Sequence, residues 1–160
     1  MVTLIATLEI PLVLDSDVFT DWRERRPPTV QFVTAYREYH GTFPQLPAIV
    51  VFEAQFGFEK QIVKTGSLDQ RLTSKREEMV QLIRECRVLD FNQRAAELAA
   101  HISARLSHSQ RNQHWADLFI AATALAHGYG VATRNRADFE LIGQHLPTNA
   151  STLYLAVWKS

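Results

Sequence analysis

The sequence predicts an α/β fold of three layers, a mainly parallel central sheet between helices, and three observations predict it. Short apolar runs alternate with longer helical stretches along the chain. Several of those runs stop at a polar residue, as buried parallel strands do where they deliver side chains to the rim of a sheet. The helical stretches carry one-sided apolar stripes, which need a layer to pack against.

Taken in order, Leu12, Val13 and Leu14 form a buried strand that ends at Asp15. A polar, basic segment follows with Arg23, Arg25 and Arg26, and Pro27 and Pro28 act as breakers. Thr29 then caps a helix with Val30, Val33 and Tyr36 on one face. After a loop with Gly41, Pro44 and Pro47, the stretch from Ala48 to about Val63 opens as a short strand and runs into a helix holding Phe52, Glu53, Phe56 and Phe58. Ser67 to Arg87 reads as a charged surface helix with a packed stripe of Leu72, Met79, Leu82, Ile83 and Cys86. Val88 and Leu89 are a very short strand.

Asp90 with Gln93 forms a capping box opening a helix whose buried face is Ala95, Leu98, Ala99, Ile102 and Leu106. Ser107 to Gln113 contains no apolar residue and reads as a break before a second Ala-rich helix, Trp115 to His127. Gly128 stands where a left-handed helix cap belongs. Val131 and Ala132 make a strand ending at Thr133, and Leu153 to Val157 add an edge or final strand. There is no internal repeat or low-complexity tract.

A length of 160 residues fits one domain over residues 1–160. With 46% hydrophobic residues and a formal charge of +0, the composition is that of an ordinary globular protein. A nucleic-acid binder of this charge needs local basic patches, or a partner that supplies or masks charge. Cys86 is the only cysteine, which excludes an intrachain disulfide framework and a thiolate metal cluster and fits a reducing cytoplasm. The segment Met1 to Pro11 is short, lacks a basic head and is interrupted by Glu9, unlike a signal peptide. No apolar run approaches the roughly 20 residues of a membrane helix.

Four acids each lie beside an apolar segment. Asp15 ends the first strand, Glu53 sits in the helix after Ile49 to Phe52, Asp117 is placed in the first turn of the Ala-rich helix, and Asp138 follows the strand ending at Thr133. In an open parallel sheet, strand ends and the following helix starts converge on one rim. Carboxylates gathered there repel one another unless cations sit among them. Oxygen-only ligands suit Mg²⁺ or Mn²⁺ and support hydrolysis by a metal-oriented water. Ser16, Asp17 and Thr133 are candidates to hold the ligands or a phosphate oxygen. Each acid also has a plainer reading: a turn residue for Asp15, helix-dipole decoration for Asp117, and a solvent-facing helix residue for Glu53.

Arg134 and Arg136 flank the last motif, and Arg23, Arg25 and Arg26 follow the first. They read as phosphate contacts, partner contacts or solvated surface. Arg111 and His114 are near enough to Asp117 in sequence to face the same cleft. The histidines lack the tight ligand pairs of a structural zinc site, and Cys86, on an apolar stripe, reads as packed. Trp22, Tyr36 and Tyr39 are candidates for base stacking or for the core. The Leu72, Met79 and Ile83 stripe serves internal packing or an interface.

The local strings carry a resemblance. "LVLDSDVF" at residues 12–19 resembles the opening motif of PIN domains, "LPAIVVFEAQFGFEK" at 46–60 resembles the segment with that family's glutamate, and "ADLFIAATALAHGYGVATRNRADFE" at 116–140 is closely similar to the later acidic motifs of VapC-type toxins. The resemblance runs from about Leu12 to Glu140, and implies a PIN-like fold. It places the family's acids on Asp15, Glu53, Asp117 and Asp138 as catalytic metal ligands, with Thr133 and Asn135 as supporting polar residues. It further implies an Mg²⁺- or Mn²⁺-dependent endoribonuclease, a homodimer, and a VapB-type antitoxin that sends a segment toward the acidic pocket. Two features depart from the pattern: Asp17 stands where many members have Asn, and the residues before Leu12 form either an edge extension or an upstream start.

Other functions compete. A PIN-type nuclease acting on DNA and a catalytically idle partner-binding module share the same motifs. "DSD" after a buried strand also resembles the Asp-x-Asp pair of haloacid-dehalogenase-type phosphatases. That chemistry wants a later lysine and acidic pair, and only Lys159 follows.

Overall fold

The computed structural model describes residues 1–5 and 9–159. Six strands and seven helices alternate among them: β1 (Val2–Leu4), β2 (Leu12–Leu14), α1 (Ser16–Arg23), α2 (Pro27–His40), β3 (Leu46–Pro47), α3 (Ala48–Thr65), α4 (Gln70–Glu85), β4 (Val88–Leu89), α5 (Gln93–Ser103), α6 (His108–His127), β5 (Gly130–Thr133), α7 (Arg136–Gly143) and β6 (Leu153–Val157). The expected three-layer α/β fold with a mainly parallel sheet is what forms. Residues 6–8 of the N-terminal segment lie outside the described residues.

A four-stranded sheet runs in the order β1-β6-β5-β2, and every pairing in it is parallel. A second, two-stranded parallel sheet, β3-β4, is joined to β2 by a bridge between Val13 and Gln45. Leu12, Val13 and Leu14 are all fully buried, as are Val131 and Ala132. Consecutive strand residues point to opposite faces, so both faces of the sheet are covered by helices.

The connectivity locates the site. After β2 the chain moves outward to β3 and β4, whereas after β5 it moves the other way to β6. The neighbouring strands β2 and β5 therefore flank a topological switch point, where the connections diverge and leave a crevice beyond the strand C-termini. Register places Leu14 beside Ala132, so the residues that follow, Asp15 and Thr133, emerge side by side.

Several local expectations are corrected. The basic segment after Asp15 contains a helix, α1, with Asp15 as its cap. Pro27 and Pro28 do not break structure but start α2, where Arg26 is the cap and Thr29 lies inside. Proline tolerates a helix's first turn because the missing N–H has no intrahelical partner there. The strand expected at the start of the 48–63 stretch falls at Leu46–Pro47, and Ala48 already belongs to α3. Asn92, not Asp90, caps α5. The polar 107–113 stretch is helical: Ser107 and Gln110 form a capping box and α6 begins at His108, with a kink at His114 (φ −118°, ψ 15°). Asp117 therefore begins the turn after a kink, not the helix. Strand β6 ends the chain's series but lies inside the sheet, because Val2–Leu4 pair along its outer side. The residues before Leu12 thus supply an edge strand. Gly143 makes room for it, since a Cβ there would stand 2.0 Å from Val2 Cγ2.

Candidate metal centre

Asp15 is the centre of the crevice. It is 2% exposed, its Oδ1 accepts from the Val18 N–H at 2.8 Å, and its Oδ2 accepts from the Thr133 hydroxyl at 2.5 Å. Thr133 Oγ1 in turn accepts from the Asn135 N–H at 2.8 Å. Burial raises the Asp15 pKa from 3.8 to about 7, against the opposing effects of those two hydrogen bonds and of Arg134. Next to it, Asp17 Oδ2 accepts from the Asn135 amide at 2.6 Å. Ser16 donates to Glu53 Oε1, which fixes a carboxylate from α3 against the start of α1.

Asp117 reaches the same place from α6. Its pKa is also raised to about 7, first by burial and then by Asp15, Asp138, Glu53 and Asp17. The charges that raise it are all carboxylates. The four acids singled out in the sequence are thus brought together, with Asp17 among them. His114 Nδ1 stands 4.0 Å from Asp117 Oδ2 and 3.8 Å from Asp138 Oδ1, and these side chains can offer three donor atoms to one cation. The kink at His114 places this buried imidazole there. The sequence put His114 near the cleft, but it gave no sign of contact with Asp138, which tertiary packing creates.

The donor set fits a divalent cation. Carboxylate oxygens dominate it beside the His114 imidazole, and Asp117 is crowded by the neighbouring carboxylates of Asp15, Asp138, Glu53 and Asp17. Cys86 is buried, and burial pushes its thiol pKa up to about 12, which disfavours a reactive thiolate.

The basic residues divide. Arg134 lies 3.2 Å from Asp21 Oδ2 and 4.0 Å from Asp17 Oδ1, and Arg26 lies 3.2 Å from Asp21 Oδ1. Asp21, which sequence reasoning missed, is 4% exposed and ties both arginines to α1. Its spacing of four residues from Asp17, along a helix not foreseen, was the available signal. Arg136 is exposed and pairs with Glu140 at 2.6 Å. Arg111 donates to the Ser103 and Leu106 carbonyls and so fastens the α5–α6 turn. Trp22 and Tyr36 are buried in the core, while Tyr39 is exposed. Met79 is fully buried and Leu72 and Ile83 pack against the core, so the α4 stripe serves internal packing.

Comparison with known proteins agrees with this geometry. The PIN domain family matches residues 12–143. The VapC ribonuclease Y4jK of Sinorhizobium fredii is 31% identical over 132 residues, covering 82% of this chain and 92% of that protein. Among solved structures, DNA-bound VapBC from Salmonella typhimurium superposes with a TM-score of 0.69 at 18% identity, over 94% of this chain and 99% of that one. FitAcB from Neisseria gonorrhoeae gives 0.63 at 23% identity, over 93% and 99%. The motif string, the switch-point acids and these likenesses converge on one assignment: the chain belongs to the PIN-domain family and, within it, to the VapC-type proteins.

Proposed function

We propose that this chain is a metal-dependent endoribonuclease and the toxin of a toxin–antitoxin pair. The observation that carries the reading is the convergence of Asp15, Glu53, Asp138 and Asp17 on Asp117 at the switch point. Bound there, Mg²⁺ or Mn²⁺ supplies an activated water and a counter-charge for the phosphoryl oxygens. Asp15, Glu53, Asp117 and Asp138 are the residues that would hold it. Thr133 keeps one Asp15 oxygen in place through its hydroxyl, while Val18 N–H holds the other. Ser16 orients Glu53, and Asn135 orients Asp17 beside the entrance. Arg134, restrained by Asp21, brings positive charge near the rim, where a phosphate backbone or an antitoxin segment approaches.

RNA as substrate is supported by the relative named a VapC ribonuclease. An antitoxin partner is supported by the solved VapBC complexes that share the fold. A VapB-type antitoxin, a homodimer and a cytoplasmic setting complete the reading. Among the described residues, no helix is long and apolar enough to cross a membrane.

The experiment is to map cellular RNA ends after brief expression of the wild-type protein and of Asp15→Asn. Asn still caps α1, so the variant keeps the fold and loses the ligand charge. New discrete ends with wild type alone support the reading. Equal ends from both proteins, or fresh DNA ends in place of RNA ends, refute it.

A further inference from the structure

A cavity of about 550 Å³ opens between α1, α3 and α4, and it shares Ser16 and Glu53 with the acidic cluster. Arg23, Lys75, Phe58 and Met79 are also in its wall. Its size is that of a small-ligand pocket, which commonly holds about 300–1,000 Å³.

Three glutamates, Glu24, Glu53 and Glu78, and two cations, Arg23 and Lys75, share its wall, and they differ in how they are engaged. Glu24 is engaged by Arg26 at 3.0 Å, and Glu78 faces Arg25 at 4.0 Å. Glu53 is bound to Ser16 within the cluster. Neither Arg23 nor Lys75 has a carboxylate within 4.0 Å among the described residues. Arg23 is held by its surroundings, with its guanidinium over the Phe19 ring at 5.4 Å and over the Phe58 ring at 5.8 Å. Its Nη2 has only a 3.4 Å contact to Thr20 Oγ1, and its Nε is shut off from solvent with no acceptor. Burial lowers its pKa from the usual arginine value, against the opposing pull of the Glu24 carboxylate. A desolvated, oriented guanidinium with unmet donors is suited to an anion, and its planar fork matches phosphate.

We infer that this cavity is a nucleotide subsite, in which Arg23 and Lys75 hold the phosphate of a nucleotide flanking the scissile bond of a single-stranded substrate. The inference rests on the ribonuclease reading. The shared residues Ser16 and Glu53 make the cavity continuous with the metal centre, so a strand cut there passes directly into it. Phe19 and Phe58 are themselves buried and serve as the platform for Arg23, not for a base. The subsite therefore selects for a phosphate at that spacing without reading sequence.

The test measures binding of a short, fluorescein-labelled single-stranded RNA of randomised sequence over a range of salt, in the full chain carrying Asp117→Asn to prevent cutting. Arg23→Met, which keeps the stem on the rings, should weaken binding by about threefold to tenfold and reduce the slope of log K against log salt by about 0.7, one single-strand phosphate. Lys75→Ala, on an exposed position of α4, should act in the same direction without touching the core. Arg23→Lys should retain most of the slope. Unchanged affinity and slope in both charge-removing variants overturn the subsite. So does loss of a co-expressed partner chain from Arg23→Met with RNA binding intact, which makes the cavity a protein groove. Cleavage by the otherwise wild-type protein, measured in parallel, separates the two readings: cutting with an unchanged slope rejects the subsite alone, whereas neither cutting nor binding rejects the ribonuclease as well.

Discussion

Thr133 Oγ1 donates to Asp15 Oδ2 at 2.5 Å, joining the C-terminal ends of the neighbouring strands β5 and β2 across 118 residues of chain. The bond spans the switch point and, with the Val18 N–H on the other oxygen, fixes the orientation of the buried Asp15 carboxylate. Thr133→Val removes the hydroxyl at nearly constant volume. It should weaken Mn²⁺ binding about tenfold, the lower end of what loss of a ligand's hydrogen-bond partner costs, while Thr133→Ser should not. Calorimetric titration checks this, and equal affinities for the Val variant and wild type would count against an orienting role.

The acids also govern stability. Asp15 and Asp117 have folded pKa values raised from 3.8 to about 7. A raised acid favours the fold below its unfolded pKa, and that stability is lost as pH climbs to the folded value. Metal-free protein should therefore lose stability between about pH 4 and about pH 7. Asp117→Asn should make the metal-free protein more stable at about pH 8 by on the order of 2 kcal/mol. Mg²⁺ at about 100 times its Kd should restore ~2.7 kcal/mol to wild type. Denaturant titrations with chelator and with Mg²⁺ measure both effects, and a flat pH profile in chelator would be contrary to them.

His114 brings a nitrogen donor to a site otherwise made of oxygens. Imidazole suits zinc, whereas carboxylates suit Mg²⁺. His114→Asn should raise the Zn²⁺ concentration that inhibits Mg²⁺-supported cleavage by about tenfold, and alter the Mg²⁺-supported rate far less. An equal loss of both would mean that His114 mainly shapes the kink of α6.

The edge strand depends on a missing side chain. Because a Cβ on Gly143 would overlap Val2, Gly143→Ala should displace β1 from α7 and cost about 1–3 kcal/mol. Hydrogen exchange at the Ile5 amide, which donates to the Leu155 carbonyl, should speed up. Unaltered protection there would show that the strand can shift without cost.

Much of this site was legible because its signals are local. Asp15 closes a fully apolar strand, and the string from Asp117 to Asp138 follows a buried helix and strand, so the acids announce the rim of a sheet. The helices α1 and the first half of α6 were hidden by composition, since arginines and polar residues fill their exposed faces, although Ser107 and Gln110 carried a readable capping box. The inner position of β6 and the Val2–Leu4 edge are long-range pairings that no local pattern encodes. The grip of Asp21 on Arg134, and the approach of His114 to Asp138, arise only when separate helices pack.

The most direct measurement is cleavage of total cellular RNA by the purified protein, with Mg²⁺ and with chelator, for wild type and for Asp117→Asn. Asp117 is where the other carboxylates act together, and its replacement keeps the shape while removing a charge. Cutting by wild type with Mg²⁺ alone, and a loss of at least ~100-fold in folded Asp117→Asn, is the predicted result. Undiminished cutting by that variant, or cutting by wild type in chelator, would contradict a metal-dependent nuclease centred on these acids.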